Sequence, residues 1–175
     1  MATTYTVSSG DYIRPLNKCI LKEFPVHTSQ TVLKGSVLQK AGGGYENRVI
    51  LSTDSITSGI VGVAAEAITT TATHVAATDK VLVWVADEKT EFIGRTVADD
   101  AVDFTDIGVR VSLEIDGTNS ITRVETDDVT NECVAVLRYL TPGTMNVQAT
   151  EGDVSVWAVF KFLPGATIYN ATVLA

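Results

Sequence analysis

Between positions 109 and 116 apolar and polar residues alternate, with Val109, Val111, Leu113 and Ile115 on one side and Arg110, Ser112, Glu114 and Asp116 on the other. A period of two belongs to a β-strand with one buried face. The strand runs into Asp116-Gly117-Thr118-Asn119 and is followed by the strand-like stretch Ser120 to Glu125, which predicts a β-hairpin. The same period returns where Val154, Val156, Ala158, Phe160 and Phe162 alternate with Ser155, Trp157, Val159 and Lys161. Pro164-Gly165 ends that strand, and Thr167 to Leu174 is the last strand-like piece.

Other segments are apolar on both faces. Val81 to Ala86 reads as a central strand covered on both sides, with Trp84 in the core or at an interface, and Cys133 to Leu140 has the same character. Ile60 to Ala64 precedes Ala65-Glu66-Ala67, but Gly59, Gly62 and the Thr69-Thr70-Thr71 run disfavour a helix. A strand through Gly62 is expected, with the glycine allowing a bulge or a close backbone approach. Gly42-Gly43-Gly44 reads as a loop tip, since no P-loop Lys and Ser/Thr follow it. A short helical turn is expected around Asp99 to Phe104 or Thr105 to Ile107.

Composition sharpens this picture. Val and Thr make up about a quarter of the 175 residues, and β-branched side chains suit a pleated sheet better than a helix. The expected fold class is therefore all-β. With 45% hydrophobic and 19% charged residues the chain can bury a core. No linker divides it, so the expected organisation is one β-rich body over 31–175 preceded by an arm and lead-in over 1–30. The formal charge of −8 and the absence of a basic cluster argue against nucleic acid as a partner. No apolar run approaches the roughly 20 residues of a membrane-spanning helix, and the first residues lack the pattern of a secretory signal, so no membrane partner is expected.

Candidate chemistry is sparse. His27 and His74 are the two histidines, and neither lies in a catalytic or zinc-binding motif. Asp99, Asp100, Asp103 and Asp106, or Glu125, Asp127 and Asp128, are rich enough in carboxylates for a hard cation, yet their spacing matches no defined calcium loop. A solvated acidic surface is the expectation, with no catalytic residues, metal or cofactor. Cys19 and Cys133 are read as free thiols, with a disulfide as the alternative. Asn170-Ala171-Thr172 is a formal glycosylation sequon.

Three segments carry a resemblance: Leu33-Lys34-Gly35-Ser36-Val37-Leu38, Ser58-Gly59-Ile60-Val61-Gly62-Val63-Ala64 and Asp79-Lys80-Val81-Leu82-Val83-Trp84-Val85. Together with Ala86 to Phe92, Asp106 to Leu113 and Val124 to Leu137, their order resembles the capsid decoration (cement, head-stabilising) proteins of tailed bacteriophages. The resemblance spans most of Thr31 to Phe162, and Met1 to Gln30 has no counterpart in it. It implies a compact β-barrel or β-tulip body, homotrimeric, bound to the major capsid protein on the outer face of the head after synthesis in the host cytoplasm. It also implies an extended amino-terminal arm, a role for Ala2 to Asp11. Tyr5, Tyr12, Phe92, Ile93, Tyr139 and Leu140 are candidates for protein contacts, with ordinary core packing as their alternative. Competing expectations are a tail-tube or fibre subunit, a carbohydrate-binding module, or an enzyme with a β-clip-like fold.

Overall fold

The computed structural model describes residues 12–45, 47–53, 56–98, 100–116, 121–141 and 147–168. Its strands are β1 (Arg14–Pro15), β2 (Leu21–Pro25), β3 (Thr31–Val32), β4 (Val37–Lys40), β5 (Val49–Leu51), β6 (Ile60–Ala64), β7 (Ile68–Thr69), β8 (Lys80–Val85), β9 (Phe92–Arg95), β10 (Arg110–Asp116), β11 (Ile121–Glu125), β12 (Val134–Leu140) and β13 (Trp157–Phe162). A 3-10 turn at Phe104–Asp106, within the region where the sequence predicts one, is the sole helical element among the described residues. The chain is all-β.

Two larger sheets organise it. The first has the order β2-β8-β6-β4-β5, and it curls until its edges meet. There Val26 forms a parallel bridge with Val49, and the His27 N–H donates to the Val49 carbonyl at 2.9 Å. The second has the order β1-β9-β13-β12-β10-β11 and closes the same way, with Thr96 bridging Val124 and the Val97 N–H donating to the Val124 carbonyl at 3.0 Å. One edge of β9 is thus shared: β1 takes Phe92 and Ile93, and β11 takes the end at Thr96. Curling lets each short sheet satisfy edge groups that would otherwise stay open. β3 and β7 form a separate two-stranded patch.

Two cores lie inside these curls. Val26, Leu38, Val49, Val61, Ala64, Val81 and Val83 fill the first. The larger one takes Phe92, Val111, Leu113, Val124, Val136, Tyr139, Phe160 and Phe162 from the second sheet and Val37, Ile60 and Val63 from the first. Neighbours on β4 and β6 therefore face different cores, Val37 against Leu38 and Ile60 against Val61. Such a shared wall requires a continuous apolar run, and all five residues of β6 are buried. At Gly62 the backbones approach closely: a Cβ there would collide with the Trp84 carbonyl oxygen, and the pairing of β4 with β6 slips between Leu38 and Gln39. The close approach and the bulge expected of this glycine are both present.

The predicted hairpin is β10 with β11, paired from Ser112↔Glu125 to Asp116↔Ile121, while its turn lies outside the described residues. Several expectations need correction. Residues 14–25 supply β1 and β2 to the two sheets, so this part of the lead-in is built into the body rather than extending from it. Ala2 to Asp11 lie outside the described residues. β8 has one fully covered face, Val81, Val83 and Val85, whereas Leu82 and Trp84 stay half-buried on the other. Ser112 is fully buried despite sitting on the polar side of β10. Of the last predicted strand, Thr167 bridges Ile60 and the Ile168 N–H donates to the Ile60 carbonyl at 3.0 Å; residues 169–175 lie outside the description.

Candidate contact surface

The outer side of the seam between the two sheets carries a run of aromatic and cationic side chains. It begins at Ile13, which is buried against Gly94, where a larger residue would be too close to the isoleucine side chain. Alternation about Ile13 turns Tyr12 and Arg14 outward. β1 pairs Arg14 with Ile93, and β13 pairs Trp157 with Arg95, which brings both guanidinium groups to one indole. The Arg14 Cζ lies 5.0 Å and the Arg95 Cζ 5.3 Å from the Trp157 ring centre. Arg95 also donates from Nη2 to Ser155 Oγ at 3.3 Å. Beneath these groups Ile93, Leu140, Trp157 and Val159 form a small apolar cluster, with Leu137 packed against it.

From Arg14 the run continues across the seam to the first sheet. The Arg14 Cζ is 5.8 Å from the Tyr12 ring, and Tyr12 lies parallel to Trp84 with centroids 6.5 Å apart and planes inclined by 7°. Lys34 Nζ stands 4.7 Å from the Tyr12 ring and 5.8 Å from that of Trp84. The turn at Leu33–Ser36 delivers this lysine: the Ser36 N–H donates to the Leu33 carbonyl, and the Gly35 N–H donates to Ala64 at 2.8 Å. At an exposed site each cation–π contact contributes roughly 0.5–1 kcal/mol, so the run is held together by many small terms. Its significance lies in its sign, because a chain of net charge −8 gathers Arg14, Lys34 and Arg95 in one place. Leu21, directly opposite Trp84 across β2 and β8, and Leu33 are exposed beside it.

Carboxylates gather elsewhere, on β10, β11 and the segments next to them. The Ser112 hydroxyl lies 3.0 Å from Glu125 Oε2 and 3.1 Å from Asp128 Oδ2, although it has one proton to donate. Burial raises the pKa of Glu125, and the carboxylates of Asp128, Glu114 and Asp127 add to the rise against the Ser112 hydrogen bond. Asp106 is raised by burial and by Asp103, with a smaller contribution from Asp127. Asp128 and Asp103 are lowered, chiefly by the backbone N–H groups of Thr130 and Thr105. Asp100 accepts from the Thr126 N–H at 2.8 Å and from its hydroxyl at 3.3 Å, which secures the chain beyond β11. Among the described residues no three His, Cys, Asp or Glu side chains converge to hold a metal ion. Asp99 lies outside them.

The histidines are apart from both surfaces. His27 meets the edge of the Tyr45 ring at 4.8 Å, and its Nδ1 is 3.3 Å from the hydroxyl of Thr28. His74 Nδ1 is 3.6 Å from Asp79 Oδ2, an oxygen that also accepts the Val75 N–H at 2.7 Å and so closes the turn between them. Cys19 and Cys133 are free thiols.

Of the contact residues named from the sequence, Tyr12 takes its place in the cationic run. Phe92, Ile93 and Tyr139 are fully buried and pack against their own chain, which is core packing rather than a surface for a partner. Leu140 is 8% exposed in the cluster beneath Trp157, and Tyr5 lies outside the described residues. Sequence reasoning missed Arg14, Lys34, Arg95 and Trp157 as a group. Comparison with known proteins returns no match: no family model, curated protein or solved structure is significantly similar to this chain.

Proposed function

We propose that this chain is a non-enzymatic structural protein of a tailed-phage virion, binding the outer surface of the head through the major capsid protein and stabilising the shell as a homotrimer. The observation that carries this reading is the cationic–aromatic run from Trp84 through Lys34, Tyr12 and Arg14 to Trp157 and Arg95. Trp, Tyr and Arg are the residues that anchor protein–protein contacts, and here they rest on the seam of two curled sheets. The order of segments resembling decoration proteins supports the same assignment. So does the setting of the histidines, each engaged in local turn or ring contacts.

The test mixes purified protein with expanded and with unexpanded empty heads of the encoding phage and sediments them. Retention by expanded heads is the expected result, and retention by neither rejects the reading. A second reading, carbohydrate binding, is favoured by the parallel Tyr12 and Trp84 rings, since paired aromatic faces stack on sugars. Glycan-array binding that is lost in Trp84→Ala would move the assignment there.

A further inference from the structure

We propose that Tyr12, Trp84 and Lys34 form a binding site for an acidic sugar, in which the two rings carry the pyranose and the lysine takes its carboxylate. The proposal rests on the second reading of this face, carbohydrate binding, and names the class of sugar. Geometry carries it. The two ring planes differ by 7° with centroids 6.5 Å apart, and Lys34 Nζ stands 4.7 Å from the Tyr12 centroid and 5.8 Å from that of Trp84. One ammonium that meets the faces of two parallel rings at similar distances stands on the same side of both, so the rings act as a shared platform with a positive charge beside it. The flexible four-carbon stem of lysine lets that charge follow a carboxylate laid on the platform.

The platform is built before any ligand arrives. Trp84 is paired on both sides, with Leu21 of β2 and Val63 of β6, and the Tyr12 Cβ rests against Gly35 in the turn that carries Lys34. A site already in its bound shape loses little ordering entropy on binding. The other charges near it are engaged: Arg14 and Arg95 lie on the Trp157 ring, Glu23 pairs with Lys80 at 3.0 Å, and Glu66 Oε1 accepts the Leu82 N–H at 2.9 Å. Lys34 is exposed and, among the described residues, makes no ion pair. An ammonium carries three donors, and a carboxylate that accepts from one makes a charge-assisted bond stronger than any a neutral hydroxyl offers. A shallow platform suits a ring that covers its C–H face and keeps its hydroxyl groups in water, whereas a wholly apolar ligand needs a pocket. A single carboxylate also fits the electrostatics better than a polyanion, which the net charge of −8 repels.

Titration of the full chain with a glucuronate-terminated trisaccharide and with its glucose-terminated counterpart tests this, read by tryptophan fluorescence and calorimetry. The acidic probe should bind about tenfold tighter or more, and about 0.5 M salt should narrow the difference through screening. Lys34→Ala, at an exposed position, should bring the two probes within about threefold of each other, and Lys34→Arg should keep the preference. Trp84→Leu retains apolar bulk against the core but removes the flat face, and it should weaken both probes about tenfold or more; circular dichroism checks that each variant is folded. A preference for the acidic probe that survives Lys34→Ala, or binding that Trp84→Leu leaves unchanged in a folded chain, would overturn the proposal. Equal binding of the two probes by wild type rejects the acidic class and leaves the carbohydrate reading standing. Binding of neither rejects both.

Discussion

Gly35 lies so close to Tyr12 that a Cβ on the glycine would overlap the tyrosine's own Cβ. This approach places Lys34 over the Tyr12 ring, and Gly35 further holds a φ of +87°, a region that L side chains rarely adopt. Gly35→Ala should therefore destabilise the chain by about 1–3 kcal/mol and detach Tyr12 from Trp84. Urea denaturation followed by tryptophan fluorescence reads both, the second as a change in native emission. A wild-type midpoint and spectrum would show that the close approach has no consequence.

Gly62 makes a harsher demand. Its missing Cβ is where the Trp84 carbonyl lies, inside a β-sheet whose strands cannot separate without breaking the wall between the cores. Gly62→Ala should cost about 3 kcal/mol or more, exceeding Gly35→Ala, because the backbone it meets belongs to β8, which is paired on both sides, whereas Gly35 meets the residues at the start of an edge strand. The comparison of the two midpoints is the measurement.

The larger core depends on three aromatic rings. Phe92 meets Phe162 edge-on at 5.2 Å, Phe160 meets Phe162 edge-on at 5.6 Å, and all three are buried. Truncation to Ala at Phe92 or Phe160 should cost about 3–5 kcal/mol through lost transfer energy and the cavity left behind. Both strands sit in the second sheet, so two-state melts should report the loss as one cooperative transition. A change below about 1 kcal/mol would mean that the neighbours collapse into the space.

The strands were legible because their signal is local: a period of two at Val109–Ile115 and the continuous apolar run Ile60–Ala64 need no knowledge of partners. The contact face was not, because its residues lie between positions 12 and 157 and each cation stands alone among neutral neighbours. Only the register Arg14↔Ile93 and Trp157↔Arg95 assembles them. Tyr139, for which the sequence left protein contact and core packing both open, takes the second for a different reason. A bulge between Val136 and Arg138 shifts the phase of β12, so Tyr139 faces the large core while Leu140 faces the outer cluster. For Phe92, the alternation with small Gly94 on the inner side was the available clue. The half-covered face of β8 had no signal, since Leu82 and Trp84 are as apolar as the residues that are buried.

The Ser112 site predicts a pH dependence with a definite sign. One hydroxyl proton cannot satisfy both Glu125 and Asp128 as carboxylates, and Glu125 has a pKa raised by burial first and by its acidic neighbours. A carboxyl whose folded pKa exceeds its unfolded one stabilises the fold below the unfolded value, and that contribution is lost as pH rises through the folded value. Asp128 acts oppositely: its lowered pKa gives stability that is lost as pH falls through the folded value. Stability should thus rise on acidification from neutral pH towards the ordinary carboxylate range and fall again below it. Glu125→Gln should flatten the upper limb and stabilise the chain at neutral pH, by less than about 1 kcal/mol since the half-buried group keeps contact with solvent that screens it. Denaturant midpoints across this range in both proteins are the check, and a wild-type midpoint falling steadily from neutral pH would reject the assignment.

The two thiols should differ in reactivity by their surroundings alone. Burial raises the pKa of Cys133 to about 12, against a smaller lowering from the Leu113 backbone hydrogen bond, and its side chain has no exposure. Thiolate is the reactive species, so Cys133 should be inert at pH 8 until the chain opens. Cys19 is half-buried, and burial followed by the Asp87 charge raises its pKa as well. It should react in the native state, yet more slowly than a small free thiol. A disulfide-exchange reagent should therefore label one thiol per folded chain and a second only in denaturant, with Cys19→Ser abolishing the native reaction. Rapid labelling of two thiols in the folded protein would mean that the sheet around Cys133 opens far more often than its packing between Val111 and Leu163, which it joins through 3.0 and 2.9 Å backbone hydrogen bonds, allows.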